Sequence, residues 1–149
     1  MQNFENIIKN LSQKYELETG RLPKNIEQDI QKLLEKCPNL VYASEFLDFQ
    51  RQFGGFLMHL DNGSFSVWSV NSPDIFPLLT GEGDLIDEQG FLCMADYTFR
   101  VEDEYSSKAW GFCTAKLLEN QYVYEYESTT KTWIFAYQNF IEMLENIEF

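Results

Sequence analysis

His59 is the only imidazole in a chain of 149 residues, and Cys37, Cys93 and Cys113 are its only thiols. A Ser-His-Asp or Cys-His nucleophile needs a base beside it, so any such arrangement would have to recruit His59. That histidine falls in "FLMHL", where Phe56, Met58 and Leu60 alternate with Leu57 and His59, and Asp61 follows closely. The residue types allow a base or a metal ligand there, but a half-exposed strand histidine is the plainer reading. The cysteines are odd in number, far apart and form no Cys-x-x-Cys pair, so neither a zinc site nor a disulfide framework is indicated. Buried free thiols in a reducing compartment account for them.

Carboxylates are the remaining candidates for chemistry. Paired acids can divide general acid and base roles without a histidine. With 24 acids in the chain, however, neighbouring carboxylates carry no sign of a perturbed pair. The stretch "GEGDLIDEQG" at 81–90 is dense in oxygen ligands, yet it lacks the Asp-x-Asp-x-Asp-Gly spacing and closing glutamate of a calcium loop. Its Gly81-x-Gly83 cannot cradle a phosphate, because Glu82 and Asp84 would repel it. No catalytic, metal or cofactor-binding residue is therefore assigned, and no enzymatic activity is expected.

Charge distribution says more than any single residue. The chain carries 24 acidic and 11 basic residues, a net charge of −13. Residues 54–107 hold ten acids and one base, Arg100, and so contribute nine of the 13 excess negative charges. Nucleic acid is a poor ligand for such a chain, since phosphate contacts require Lys and Arg to displace counterions. Anionic membranes are disfavoured for the same reason. A basic protein surface is the natural partner. The candidate recognition face unites Glu82, Asp84, Asp87, Glu88, Asp96 and the run Glu102-Asp103-Glu104 with the aromatics Trp68 and Trp110, in the manner of aromatic anchors inside a charged rim.

The elements that must position these residues follow from periodicity. Phe4, Ile7, Ile8, Leu11 and Tyr15 predict a first helix ended by Gly20; Ile26, Ile30, Leu33 and Leu34 predict a second, broken at Cys37-Pro38. Tyr42, Phe46, Phe49 and Phe53 stripe a third, stopped at Gly54, where a positive φ is often needed. The period then changes to two: residues 56–60 and 65–70 flank Asp61-Asn62-Gly63, a hairpin signal because Asn and Gly tolerate left-handed turns. Residues 71–90 read as an irregular loop. "FLCMA" and "YTFRV" predict a strand pair or one bent strand, and "AWGFCTAKL" another strand. In "QYVYEYE", Tyr122, Tyr124 and Tyr126 share one strand face; Thr132 to Phe135 pairs back, and Tyr137, Phe140, Ile141, Leu144 and Ile147 mark a closing helix. Together these predict one α+β domain over 1–149, a mostly antiparallel sheet with N-terminal helices and a C-terminal helix packed on it. The apolar fraction of 44% suits a folded globule, and no signal peptide or membrane span is read.

The order of these motifs resembles the SUKH superfamily. "SEFLDFQRQFGG" supplies Phe46-Leu47 and the stop Phe53-Gly54-Gly55, Val123-Tyr124 matches the late strand, and Phe140-Ile141-x-Met143-Leu144 the terminal helix. The likeness runs over roughly residues 22 to 147, with 1–20 as an additional N-terminal helix. It implies a cytoplasmic, non-enzymatic protein; a monomer in isolation is expected. Many bacterial members are immunity proteins that neutralise a cognate polymorphic or contact-dependent toxin by direct binding; eukaryotic relatives regulate cell-wall synthesis through protein contacts. The resemblance thus implies a basic toxin domain as partner, or a regulatory module of the same fold without one.

Overall fold

The computed structural model describes residues 3–19, 24–70 and 86–149. Seven strands form one antiparallel sheet whose spatial order is its sequence order: β1 (Glu16–Thr19), β2 (Phe56–Leu60), β3 (Gly63–Val67), β4 (Phe91–Val101), β5 (Glu104–Cys113), β6 (Val123–Glu127) and β7 (Thr132–Tyr137). The helices are α1 (Glu5–Lys14), α2 (Ile26–Lys36), α3 (Ser44–Phe53) and α4 (Phe140–Asn146), with 3-10 turns at Pro38–Tyr42 and Thr114–Lys116. The α+β class with a mostly antiparallel sheet is as the sequence predicts.

All four helices contribute to one buried cluster that also takes in alternate residues from one side of the sheet. Phe49 lies at its centre, with ring centroids 5.4 Å from Phe4, 5.3 Å from Phe140 and 5.8 Å from Phe56. Phe46 meets Phe140 at 5.6 Å and Phe112 on β5 at 5.7 Å. Edge-to-face packing of this kind adds to the area each ring removes from water. Phe4 is fully buried, so α1 closes the core.

Several expectations are corrected by the geometry. The first helix stops at Lys14, and Glu16 to Thr19 becomes a short edge strand on β2, with Leu17 opposite Met58. Gly54 does take a positive φ, 77°. The turn at Asp61-Asn62 does not: neither Asn62 nor Gly63 adopts positive φ. Gly63 is required for space, because a Cβ there would lie 2.1 Å from the Thr98 carbonyl oxygen on β4. "FLCMADYTFRV" is one strand, bent by a bulge between Cys93 and Ala95 that turns both Met94 and Ala95 inward. The 71–85 part of the expected loop lies outside the described residues.

Gln50 is the one fully buried polar side chain among the described residues. Its Nε2 donates to the Trp68 carbonyl at 2.7 Å and its Oε1 accepts from the Val70 N–H at 3.1 Å, fastening α3 to the exit of β3. Gln50→Leu deprives the Val70 N–H of its acceptor and is expected to cost about 1–3 kcal/mol, read as a lower urea midpoint at unchanged slope. An unchanged midpoint would show the amide to be dispensable.

Glu45 joins α3 to α4 by accepting the Ile141 N–H at 3.1 Å. Desolvation by burial raises its pKa above the ordinary 4.5, the Ile141 bond opposes that shift, and Asp48 adds to it. A carboxyl whose folded pKa exceeds its unfolded value penalises the fold once pH rises through the folded pKa, and costs nothing below the unfolded one. Glu45→Gln keeps the acceptor and removes the charge. The variant is expected to be the more stable at pH 7 and to converge on the parent below pH 4, as followed by thermal unfolding; a gap that persists at pH 3.5 would contradict this origin.

Candidate functional site

Because the helices share one side of the sheet, no described element packs on the other. That outer face is where the chemistry-bearing side chains gather. On β4 the outward residues are Phe91, Cys93, Asp96, Thr98 and Arg100, and their β5 counterparts are Cys113, Gly111, Ala109, Ser107 and Tyr105. On β6 and β7 they are Tyr124 and Tyr126, opposite Phe135 and Trp133.

Small residues on β5 let aromatic rings from both sides meet across it. Phe91 reaches over to stack on Trp133, centroids 4.9 Å apart and planes within 7°, and meets the edge of Tyr124 at 5.1 Å. Tyr126 lies 5.3 Å from Trp133, and Phe135 packs between Tyr122 at 5.1 Å and Tyr124 at 6.4 Å. Phe135 remains 54% exposed, so this cluster faces solvent. It is a six-ring aromatic surface.

Asp87 organises one end of it. Its Oδ1 accepts the N–H groups of Gln89 and Phe91, both at 2.9 Å, and its Oδ2 accepts the Trp133 indole N–H at 2.7 Å. The carboxylate thereby holds both the turn into β4 and the plane of Trp133. Glu88, the next residue, is exposed. A cleft of about 310 Å³ opens here, lined by Asp87, Glu88, Gln89, Ala109, Tyr126 and Trp133.

The expected face is thus only partly assembled. Trp68 and Asp96 are brought together, the indole N–H donating to Asp96 Oδ1 at 2.9 Å. Asp87 and Glu88 stand at the start of β4, while Glu102-Asp103-Glu104 forms the hairpin beyond its far end. Eleven residues of strand separate the two groups by about 33 Å. The acids bracket the outer face instead of clustering on it. Glu102 takes a positive φ of 57°, and Arg100 braces the turn through the Glu102 carbonyl at 3.0 Å and Asp103 Oδ1 at 3.1 Å. Glu82 and Asp84 lie outside the described residues.

Trp110 requires correction. It is 3% exposed on the inner face, 5.4 Å from Phe65, and its indole N–H has no hydrogen-bond partner among the described residues. Position 110 falls on the opposite side of β5 from Ala109 and Gly111, so it is a core residue and not an anchor. Trp68 keeps its place beside Asp96, but the six aromatics that form the outer cluster, Phe91, Tyr122, Tyr124, Tyr126, Trp133 and Phe135, were absent from the expected face. The signal was present for half of them in the alternation of Tyr122, Tyr124 and Tyr126 at and before β6.

One other place was a candidate for chemistry. His59 Nε2 lies 3.4 Å from Glu18 on β1, a contact that becomes an ion pair when the imidazole is protonated. It borders a wide recess of about 510 Å³ with Asp61, Asn62 and Tyr97, whose hydroxyl donates to Asn62 Oδ1 at 3.2 Å. Among the described residues no group of three or more His, Cys, Asp or Glu side chains could hold a metal ion. No helix among them is long and apolar enough to cross a membrane.

Compared with protein-family models, curated proteins and solved structures, the chain matches none.

Cys93 lies in the outer side of β4 beneath this surface, and burial pushes its thiol up to about 12. At pH 8 only about one molecule in ten thousand would carry the thiolate. Iodoacetamide at pH 8 is therefore expected to leave Cys93 unmodified in the folded protein and to label it after unfolding, as read by peptide mass spectrometry. Labelling of native Cys93 at the rate of a free thiol would contradict the assignment.

Proposed function

We propose that this chain is a non-enzymatic binding protein of the immunity type, which neutralises a cognate basic toxin domain in the cytoplasm by direct contact. The observation that carries the reading is the outer sheet face: an exposed aromatic surface bracketed by carboxylates, on a chain of net charge −13. Exposed aromatic groups beside acidic rims offer contact area together with electrostatic selection. The ordered motifs that resemble the SUKH superfamily support the same role. A toxin that works on nucleic acid meets phosphates with Lys and Arg in its substrate groove, which an acidic protein can cover.

Co-expression with a candidate toxin drawn from the neighbouring genes tests the function, paired with calorimetry of the two purified proteins. Protection of the cells and a one-to-one complex are expected, and Kd should rise at least tenfold between 50 and 300 mM salt. Charge reversal at Glu102, Asp103 and Glu104 together should slow association at low salt. Protection without a complex, or a toxin chemically altered by catalytic amounts of this protein, would overturn the reading. A salt-sensitive complex with a protein other than a toxin, and no protection, would make it a regulatory module instead.

A further inference from the structure

The cleft beside Trp133 has a chemistry narrower than the face around it. One wall is aromatic, formed by Trp133 and Tyr126; another is the turn bearing Asp87 and Glu88; Ala109 leaves the floor open. Asp87 has both oxygens engaged, holding the indole and two backbone N–H groups. Phe91 backs Trp133 on a parallel plane, and Gln89 ties the acidic turn to the β6–β7 loop by donating to the Lys131 carbonyl at 2.8 Å. The walls are therefore set before any ligand arrives.

A π face beside a carboxylate is a site for a cation. A guanidinium suits it better than an ammonium, because its plane can lie on an indole while its N–H fork meets a carboxylate. A volume of about 310 Å³ accommodates the end of one long side chain. A second copy of this chain is a poor occupant, since each copy carries −13 and their fields repel at the approach distance. We infer that the cleft formed by Trp133, Tyr126, Asp87 and Glu88 receives an arginine side chain from the basic partner. This deepens the binding role proposed above and rests on it. Trp133 supplies the stacking surface, Glu88 an exposed carboxylate, and Asp87 fixes the indole.

The three indole N–H signals in a 15N-correlated NMR spectrum provide the test, because Trp68 and Trp110 serve as internal controls. The probe is the peptide acetyl-Gly-Arg-Gly-amide, compared with its Lys and Glu counterparts, titrated to 20 mM at low salt. Saturable movement of the Trp133 indole and the Tyr126 and Ala109 amides is expected, strongest for Arg, weaker for Lys and absent for Glu, with Trp110 unmoved. Glu88→Gln, at an exposed position, should weaken the Arg peptide about threefold, the size expected of an exposed cationic contact. Trp133→Ala should abolish the response. Equal response to the Glu peptide, shifts centred on Trp68, or no saturable shift would overturn the inference, as would concentration-dependent dimerisation lost in Trp133→Ala. If the cleft fails while the salt-sensitive complex with the whole toxin survives, the binding role stands without it. If the cleft responds and no protein complex forms, the reverse holds.

Discussion

The cluster of Phe4, Phe46, Phe49 and Phe140 is the constraint on which the rest depends. These rings come from α1, α3, α4 and their flanks, and they meet alternate residues of the sheet on one side only. Packing at crystal-like density leaves little room for a helix to migrate, so the helical layer and the sheet have a fixed relation. One consequence is mechanical: a meander of seven strands, otherwise joined only to its sequence neighbours, is held rigid from behind. The other concerns solvent, because no described element covers the opposite side of the sheet.

What that side presents is set by two features of the strands. Gly111 and Ala109 on β5 lack the bulk to separate the neighbouring rings, so Phe91 can cross to Trp133. Asp87 then spends its carboxylate on order rather than on charge, fixing the turn and the indole together. The result is an aromatic surface whose geometry does not await a ligand. Preorganisation of this sort lowers the entropy lost when a partner docks. The net charge of −13 acts at longer range, favouring a cationic partner over another copy. Trp68 bonded to Asp96 repeats the pairing of indole and carboxylate further along the same side.

The fold was largely legible because its signals are local. Helices α2 and α3 and the strands β2, β3, β4 and β6 each carry their own periodicity, and Gly54 marks its own helix stop. Edge strand β1 was not legible, since "ELET" has no alternation and becomes a strand only through Leu17 meeting Met58. Gly63 was noticed for the wrong reason: the approach of Thr98 that excludes a side chain there is a contact 35 residues away in sequence. The face was less legible still. Charge density along the chain does not report which end of a strand an acid occupies, so acids at both ends of β4 read as one patch. Trp110 and Trp133 look alike in sequence, and only strand register puts one in the core and the other on the outer face.

An amide hydrogen-exchange footprint of the protein complex proposed above bears on the central claim most directly. The account predicts slowed exchange confined to β4 to β7 and the turns at 86–90 and 102–104, with helices α1 to α4 unaltered. Protection over the helical layer, or around His59 and β1, would contradict it.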